Sequence, residues 1–347
     1  MSKILVILTG GTIGSRIEGN VIDVSGTSPR RLLAMYREKY GDSEEFEVIQ
    51  PLNLLSENMT PEMLLILLKP LDRVEYGNYA GVILAHGSDT LSYTASFVGL
   101  LFHHVPVPVV LVASNYPLGE KGSNGLANFA GAVDLIRHSP LRGVFVLYQD
   151  DCGRKQVYLA TRFVEAEPFG DQFRDFSGTP LGRVEEGRLV LNQAKSLPGM
   201  EELQKARGIR LPVPNSFSRK ILVIRPYPGL DYSFFRFDSK RHPAAVLHLL
   251  YHSATACLGE GNYDLLHFLS HCRELGVPVY TGSHKALDGK RYATGDILLG
   301  EGVIPLLNIS PEAAYAKLLI LYNTQGVSVP EMIGKDLYFE SVDPAGE

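Results

Sequence analysis

The stretch "KILVILTGGTIG", Lys3–Gly14, decides the fold. Its apolar run, Lys3–Leu8, is short and continuous, which suits a strand buried on both faces. The run stops at Thr9-Gly10-Gly11-Thr12, and paired glycines at a strand end let another segment or a ligand approach the backbone closely. Similar runs recur at Gly81–Ala85 ("GVILA"), Val107–Ala113 ("VPVVLVA") and Val144–Tyr148 ("VFVLY"), with a weaker strand at Glu47–Gln50. Between them lie helical stretches at Pro61–Leu71, Asp89–Phe102 and Leu126–Ile136, the first opening on Thr60 as N-cap and Pro61 at N1. Continuous apolar strands alternating with helices predict a doubly wound α/β domain around a parallel sheet.

The segment Pro198–Lys220 is charged, then Pro-rich, and has no sustained apolar face, so it reads as a linker. A second alternation starts at Ile221–Arg225 and continues through Ala245–Leu250, a helix near Leu265–Leu275 and a strand at Val277–Thr281. It ends in a helix over Pro311–Leu321 capped by Ser310. The expected architecture is two doubly wound α/β domains: a larger N-terminal one over 1–197, a linker over 198–220 and a smaller C-terminal one over 221–347. A chain of 347 residues is long enough to divide in this way.

The net charge of −5 and the scattered basic residues leave no footprint for nucleic acid. No apolar run approaches the ~18 residues a membrane span needs, and the N-terminal run is too short for a signal peptide. Three widely spaced cysteines, Cys152, Cys257 and Cys272, suit a reducing cytoplasm better than a disulfide framework.

In open α/β sheets ligands bind beyond the carboxyl ends of the strands, at the switch point. Two strand ends here carry hydroxyl-rich turns, Thr9–Thr12 and His86-Gly87-Ser88-Asp89-Thr90, and neighbouring strands would bring them to one pocket. Thr12 either presents its hydroxyl to a ligand or caps a helix; Asp89 either holds a substrate ammonium or caps the helix that follows. The glycines at 10, 11 and 14 do not spell a dinucleotide fingerprint, and no P-loop is present. His86 lacks the geometry of a triad base and reads as structural, as do Cys152 and the His103-His104 pair at a helix end. His267 and His271 stand four apart beside Cys272, but no glutamate or third ligand completes a metal site.

"TGGTIG" at Thr9–Gly14 and "HGSDT" at His86–Thr90 resemble the two signature segments of the L-asparaginase/glutaminase family. "SENMT" at Ser56–Thr60, "SNYPLGEKGSNGLAN" at Ser114–Asn128, "RPYPGLD" at Arg225–Asp231 and "YATGDILLGEGVIPLLNISPEAAYAKL" at Tyr292–Leu318 extend the resemblance over nearly the whole chain. The style is that of the cytoplasmic type I enzymes. The resemblance implies that Thr12 attacks a side-chain amide and forms an acyl-enzyme that water hydrolyses, converting L-asparagine to L-aspartate and ammonia. It places Ser88 and Asp89 in a proton relay, and Ser56, Glu57, Gly11, Gly87 and Ser114 around a small amino-acid amide. No cofactor or metal is implied, and the implied assembly is a homodimer or homotetramer with no nucleic-acid or membrane partner.

Three residues depart from that pattern. Ser88 replaces a threonine and keeps the hydroxyl. Val21 stands near a position usually held by tyrosine. Arg162, after Thr161, stands where the relay lysine is expected, and a guanidinium cannot accept a proton, although it could lower the pKa of Ser88 or hold a carboxylate. Lys155 would lie ~23 Å away along an extended segment and is a poor substitute. Glutamine or another amide as substrate, or a weakly active amino-acid-binding homologue, therefore stand as alternatives.

Overall fold

The structure, a computed structural model, describes residues 2–11, 16–18, 21–23, 29–284 and 290–342. The chain divides into two compact units: Met1–Val213 with Leu337–Phe339, and Pro214–Asp336 with Glu340–Glu347. The stretch expected as linker contains a short helix, α5 (Met200–Gln204), whose Leu203 is buried.

In the first unit the strands are β1 (Lys3–Leu8), β2 (Arg16–Glu18), β3 (Val21–Asp23), β4 (Phe46–Ile49), β5 (Tyr79–Ala85), β6 (Pro108–Val112), β7 (Gly143–Gln149), β8 (Lys155–Leu159), β9 (Phe163–Val164), β10 (Arg174–Asp175), β11 (Gly182–Glu185) and β12 (Arg188–Leu191). Eight form one sheet in the order β12-β11-β8-β7-β6-β5-β1-β4. The pairs from β4 to β7 are parallel, with Leu8 level with Ala85. The helices α1 (Pro29–Tyr40), α2 (Pro61–Asp72), α3 (Leu91–Phe102) and α4 (Gly125–His138) connect these strands. The central strands are fully apolar because both faces are covered; the residues of β6 are all buried.

The sequence reading missed β8, β11 and β12, which pair antiparallel and extend the sheet beyond β7. β12 alternates exposed and half-buried residues, the mark of an edge strand with one wet face, so it lacks the continuous apolar run that revealed the others. The order reverses between β1 and β5: the chain leaves β1 for β4 on one side and returns to β5 on the other. That reversal is the switch point, and Gly10–Gly11 and His86–Thr90 follow the two strands that flank it.

The second unit holds β13 (Ile221–Ile224), β14 (Ala245–Leu249), β15 (Val279–His284) and β16 (Ile304–Leu307), all parallel and ordered as in the chain. Successive residues of β14 face opposite sides. Val246 packs with Tyr232, Phe268 and Leu298 on one face, while Ala245 and Leu247 pack with Ile309, Ala313 and Leu318 on the other. Helices α6 (Leu265–Glu274) and α7 (Ala293–Gly300) supply the first face and α8 (Pro311–Asn323) the second. α8 is capped as expected, with Ser310 Oγ accepting from Ala313 N at 3.1 Å. Among the described residues no helix is long and apolar enough to cross a membrane.

α8 buries a lysine almost completely. Lys317 Nζ donates to Glu340 Oε1 at 2.7 Å and to Lys335 O at 2.5 Å, and neither side chain of the ion pair is more than 2% exposed. Removing one partner of such a pair strands a buried charge, at a cost of about 3–5 kcal/mol, whereas replacing both by apolar groups is close to neutral. Lys317→Met should therefore lower the stability of the protein in urea more than the double substitution Lys317→Met/Glu340→Leu does.

Candidate active site

In their described residues the two signature turns meet backbone to backbone, at Gly11 and Gly87. Gly11 has φ +72° and donates its N–H to Leu54 O at 2.9 Å; a Cβ placed on it would lie 2.5 Å from Gly87 N and Cα. A Cβ on Gly87 would strike Ser56 Oγ. Gly10, at φ +94°, pairs with Leu54. Three loops therefore close on one another through glycine.

Ser56 is the buried hub of this contact. It opens a single 3-10 turn, Ser56–Asn58, and its hydroxyl donates to Asp89 Oδ2 at 3.0 Å and accepts from Asp89 N at 3.3 Å. Its carbonyl accepts from Thr90 Oγ1 at 2.9 Å. Asp89 does not cap α3: Thr90 occupies the cap position and no side chain caps it. Ser88, half-buried, and Asp89 line a cavity of ≈ 330 Å³ with Asn115, Tyr148, Glu165, Ala166, Glu167, Pro168, Asp171 and Phe173. Glu57 is exposed on the same turn as Ser56. Thr12 and the side chain of Val21 lie outside the described residues.

His86 is structural, as its position suggested. It is fully buried, its Nδ1 lies 2.8 Å from Gly87 O and its Nε2 lies 3.1 Å from Thr94 Oγ1. A carbonyl only accepts, so Nδ1 carries the proton and Nε2 accepts from the threonine. Burial pushes the imidazole down to about 4.

The expectation for Arg162 is overturned. β8 runs antiparallel to β7 with Leu159 level with Phe145, so Arg162, three residues on, lies near the amino end of the parallel strands. The cavity lies beyond their carboxyl ends, ~20 Å away along β7. The guanidinium is buried, with Nε donating to Phe339 O at 2.5 Å and Nη1 to Ser196 O at 2.6 Å. Lys155 does sit at the carboxyl end, level with Gln149, but its ammonium faces Asp134 on α4 at 3.4 Å.

Ser114 is likewise placed differently from its expected role. Its buried hydroxyl donates to Tyr116 O at 2.5 Å and pairs with Ser123 Oγ at 3.0 Å, bracing its own loop. The next residue, Asn115, lines the cavity. Its Oδ1 accepts from Tyr116 N and Asn124 N, both at 2.9 Å. Asn115 and Tyr148 were missed by the sequence reading. Both stand at the carboxyl ends of central strands, where the switch-point rule directs attention. Glu165–Phe173 falls in a loop between β9 and β10 with no periodic pattern to place it.

The paired histidines of α6 are each taken by a backbone carbonyl: His267 Nδ1 by Gly261 O at 3.0 Å and His271 Nε2 by Phe237 O at 2.9 Å. Among the described residues no group of His, Cys, Asp or Glu could hold a metal ion.

The switch-point cavity beside the interlocked glycine turns presents serine, aspartate and asparagine side chains, a polar site of the kind α/β enzymes carry at the carboxyl ends of their strands. The family model described as "Asparaginase, N-terminal" matches residues 3–197, and the chain belongs to the asparaginase family, whose members are amidohydrolases. Its structure is similar to that of the thermostable L-asparaginase from Thermococcus kodakarensis, with a TM-score of 0.79, 23% identity and coverage of 98% of this chain and 99% of that one. L-asparaginase I from Vibrio cholerae gives a TM-score of 0.75 at 25% identity, covering 99% of this chain and all of the other. Among curated proteins the chain is similar to the D subunit of glutamyl-tRNA(Gln) amidotransferase from Aeropyrum pernix, 26% identical over 94% of this chain and 76% of the relative. The same protein from Methanococcus maripaludis is 24% identical over 97% of this chain and 80% of the relative.

Two outcomes follow from this geometry. Arg162→Met leaves two carbonyls without their donor, at roughly 1–3 kcal/mol each if buried; it should lower the melting temperature while kcat of the folded enzyme stays within about twofold. His86 binds a proton in the unfolded chain near pH 6.5 but not in the folded one until about pH 4. Its contribution is therefore complete above pH 6.5 and falls by about 3 kcal/mol towards pH 4. Urea titrations between pH 7.5 and 4 should show this slope, and His86→Gln should flatten it.

Proposed function

We propose that the chain releases ammonia from the side-chain carboxamide of an amino acid, with Thr12 as nucleophile and L-asparagine as the reference substrate. The observation that carries the reading is the junction of Gly11, Gly87 and Ser56, which sets the turn before Thr12 against the Ser88-Asp89 turn. The Thr12 oxygen bonds to the amide carbon, the C–N bond breaks, and ammonia leaves with a proton. Water then hydrolyses the ester and restores the hydroxyl. Backbone N–H groups of the glycine turns are suited to the developing oxyanion.

The proton of Thr12 needs an acceptor. With Arg162 remote, that role falls to the Ser88 hydroxyl passing a proton to Asp89, whose second function is to hold the substrate ammonium. Ser56 orients Asp89 through its backbone and its carboxylate together. Glu57, exposed beside Ser56, is available to the ammonium as well. Ser114 acts indirectly, by bracing the loop that presents Asn115.

The relatives named as amidotransferase subunits support a second reading, in which glutamine is the ammonia source and the chain works within a larger assembly. A homo-oligomer in the cytoplasm remains our reading for an enzyme acting alone. Ammonia release from L-asparagine and from L-glutamine separates the two substrates. Thr12→Ala should abolish release from either, and Asp89→Asn should lower kcat at least about a hundredfold; undiminished hydrolysis by Thr12→Ala would overturn the mechanism.

A further inference from the structure

β6 and β7 separate at the edge of the cavity. Their parallel register ends at Leu111 opposite Val146. On its other flank β6 stays paired with β5 to Val112, whose carbonyl takes the His86 N–H at 2.9 Å, so the split is one-sided. A parallel ladder repeats evenly. Continued in the same register, it would give the Gln149 N–H to Ala113 O and the Asn115 N–H to Gln149 O. The structure instead routes both rungs through side chains. Asn128 Oδ1 accepts from Gln149 N at 2.7 Å while its Nδ2 donates to Ala113 O at 2.9 Å. Asn124 Oδ1 accepts from Asn115 N at 3.0 Å while its Nδ2 donates to Gln149 O at 3.2 Å. Two successive rungs are each lengthened by one carboxamide.

The two asparagines come from the start of α4, one turn apart and so on one face of it. Asn124 holds the cap position, where an asparagine side chain ordinarily takes a helix N–H; here it caps nothing. Both residues are buried, Asn128 completely. Burying a carboxamide costs desolvation and rotamer entropy that a direct backbone rung does not, so the insertion makes sense through the width it holds. The gap borders the cavity: Asn115, just after β6, and Tyr148, at the end of β7, both line it. Asn115 Oδ1 in turn accepts from Asn124 N at 2.9 Å, which locks the wedge to a residue it positions.

We infer that the wedge of Asn124 and Asn128 sets the width of the substrate cavity between Asn115 and Tyr148, and with it the choice between the side-chain amides of asparagine and glutamine. The inference rests on the amide-hydrolase reading of the same site and adds two positioning residues to it. One methylene separates the two substrates, and a pocket of fixed shape distinguishes such a pair by about 10–200-fold.

The test is the ratio of kcat/KM for L-asparagine to that for L-glutamine, read as ammonia release. In Asn124→Ala and in Asn128→Ala the strand ends can close on direct rungs, and the narrower cavity should raise the ratio at least about threefold over the wild-type value. Asn192→Ala removes a comparable amide, one that donates to Pro180 O at 2.9 Å just after the edge strand β12, and should leave the ratio unchanged. Lost stability alone therefore does not imitate the effect. A smaller rise in either wedge variant, or a shift towards glutamine, overturns the inference while leaving amide hydrolysis intact. If an alanine variant does not fold, Asn128→Asp decides, because it keeps the shape and the acceptor, and burial pushes its carboxyl up. At high pH the carboxylate repels Ala113 O, widens the gap and should move the ratio towards glutamine. As the pH falls the protonated acid donates again, and the wild-type ratio should return. A ratio that tracks the wild-type one at every pH overturns the inference. Absence of ammonia from both substrates with the wild-type protein overturns the hydrolase reading instead. Calorimetry then tests the width: Asn128→Ala should weaken L-glutamate more than L-aspartate, and an equal effect, the reverse order or no binding of either overturns the inference.

Discussion

Everything at this site depends on a contact that only glycine permits. The backbones of Gly11 and Gly87 come so close that a methyl group on Gly11 would lie 2.5 Å from its neighbour, and Gly87 in turn rests against Ser56. That approach places the ends of two parallel strands and an intervening loop within hydrogen-bond reach. Ser56 can then hold Asp89 by both its amide and its carboxylate. The sheet topology supplies the gap, because the strand order reverses between β1 and β5; the glycines let the turns fill it.

A continuous apolar run is a strong signal, and the buried strands β1, β5, β6 and β7 could be read directly from the chain for that reason. So could the two turns, since glycine beside hydroxyl residues after such a run marks a backbone that another group must approach. The antiparallel extension was hidden, because strands with one wet face mix polar and apolar residues and resemble loops. This hid more than a boundary. Without the direction of β8, Arg162 was grouped with Ser88 and Asp89 as the stand-in for a relay lysine, when its strand carries it to the far end of the sheet.

The cavity's acidic wall was illegible for a related reason. Glu165, Glu167 and Asp171 sit in an irregular loop whose course depends on packing around Phe173, and no periodicity records that. Asn115 and Tyr148 were within reach, each standing at the carboxyl end of a recognised strand. Ser114 shows the opposite trap: it is the right kind of residue at the right place, yet its hydroxyl is consumed by Tyr116 and Ser123, and its neighbour faces the cavity.

The segment Leu337–Phe339 is grouped with the first unit although it is distant from it in sequence. The Tyr338 hydroxyl accepts from Val144 N at 2.7 Å and donates to Val144 O at 2.9 Å, so a side chain does the work of a neighbouring strand at the start of β7. Thr161 Oγ1 donates to Tyr338 O at 2.6 Å, and Arg162 holds the next carbonyl. On the ribosome these partners emerge only after the whole second sheet has been made. The larger unit must therefore wait, with the amino-terminal end of β7 unsealed, for residues translated after the second sheet. Its completion follows the synthesis of the smaller unit's sheet, and a chaperone that shields this end during translation would act on the larger unit although the residues it awaits are encoded within the span of the smaller one.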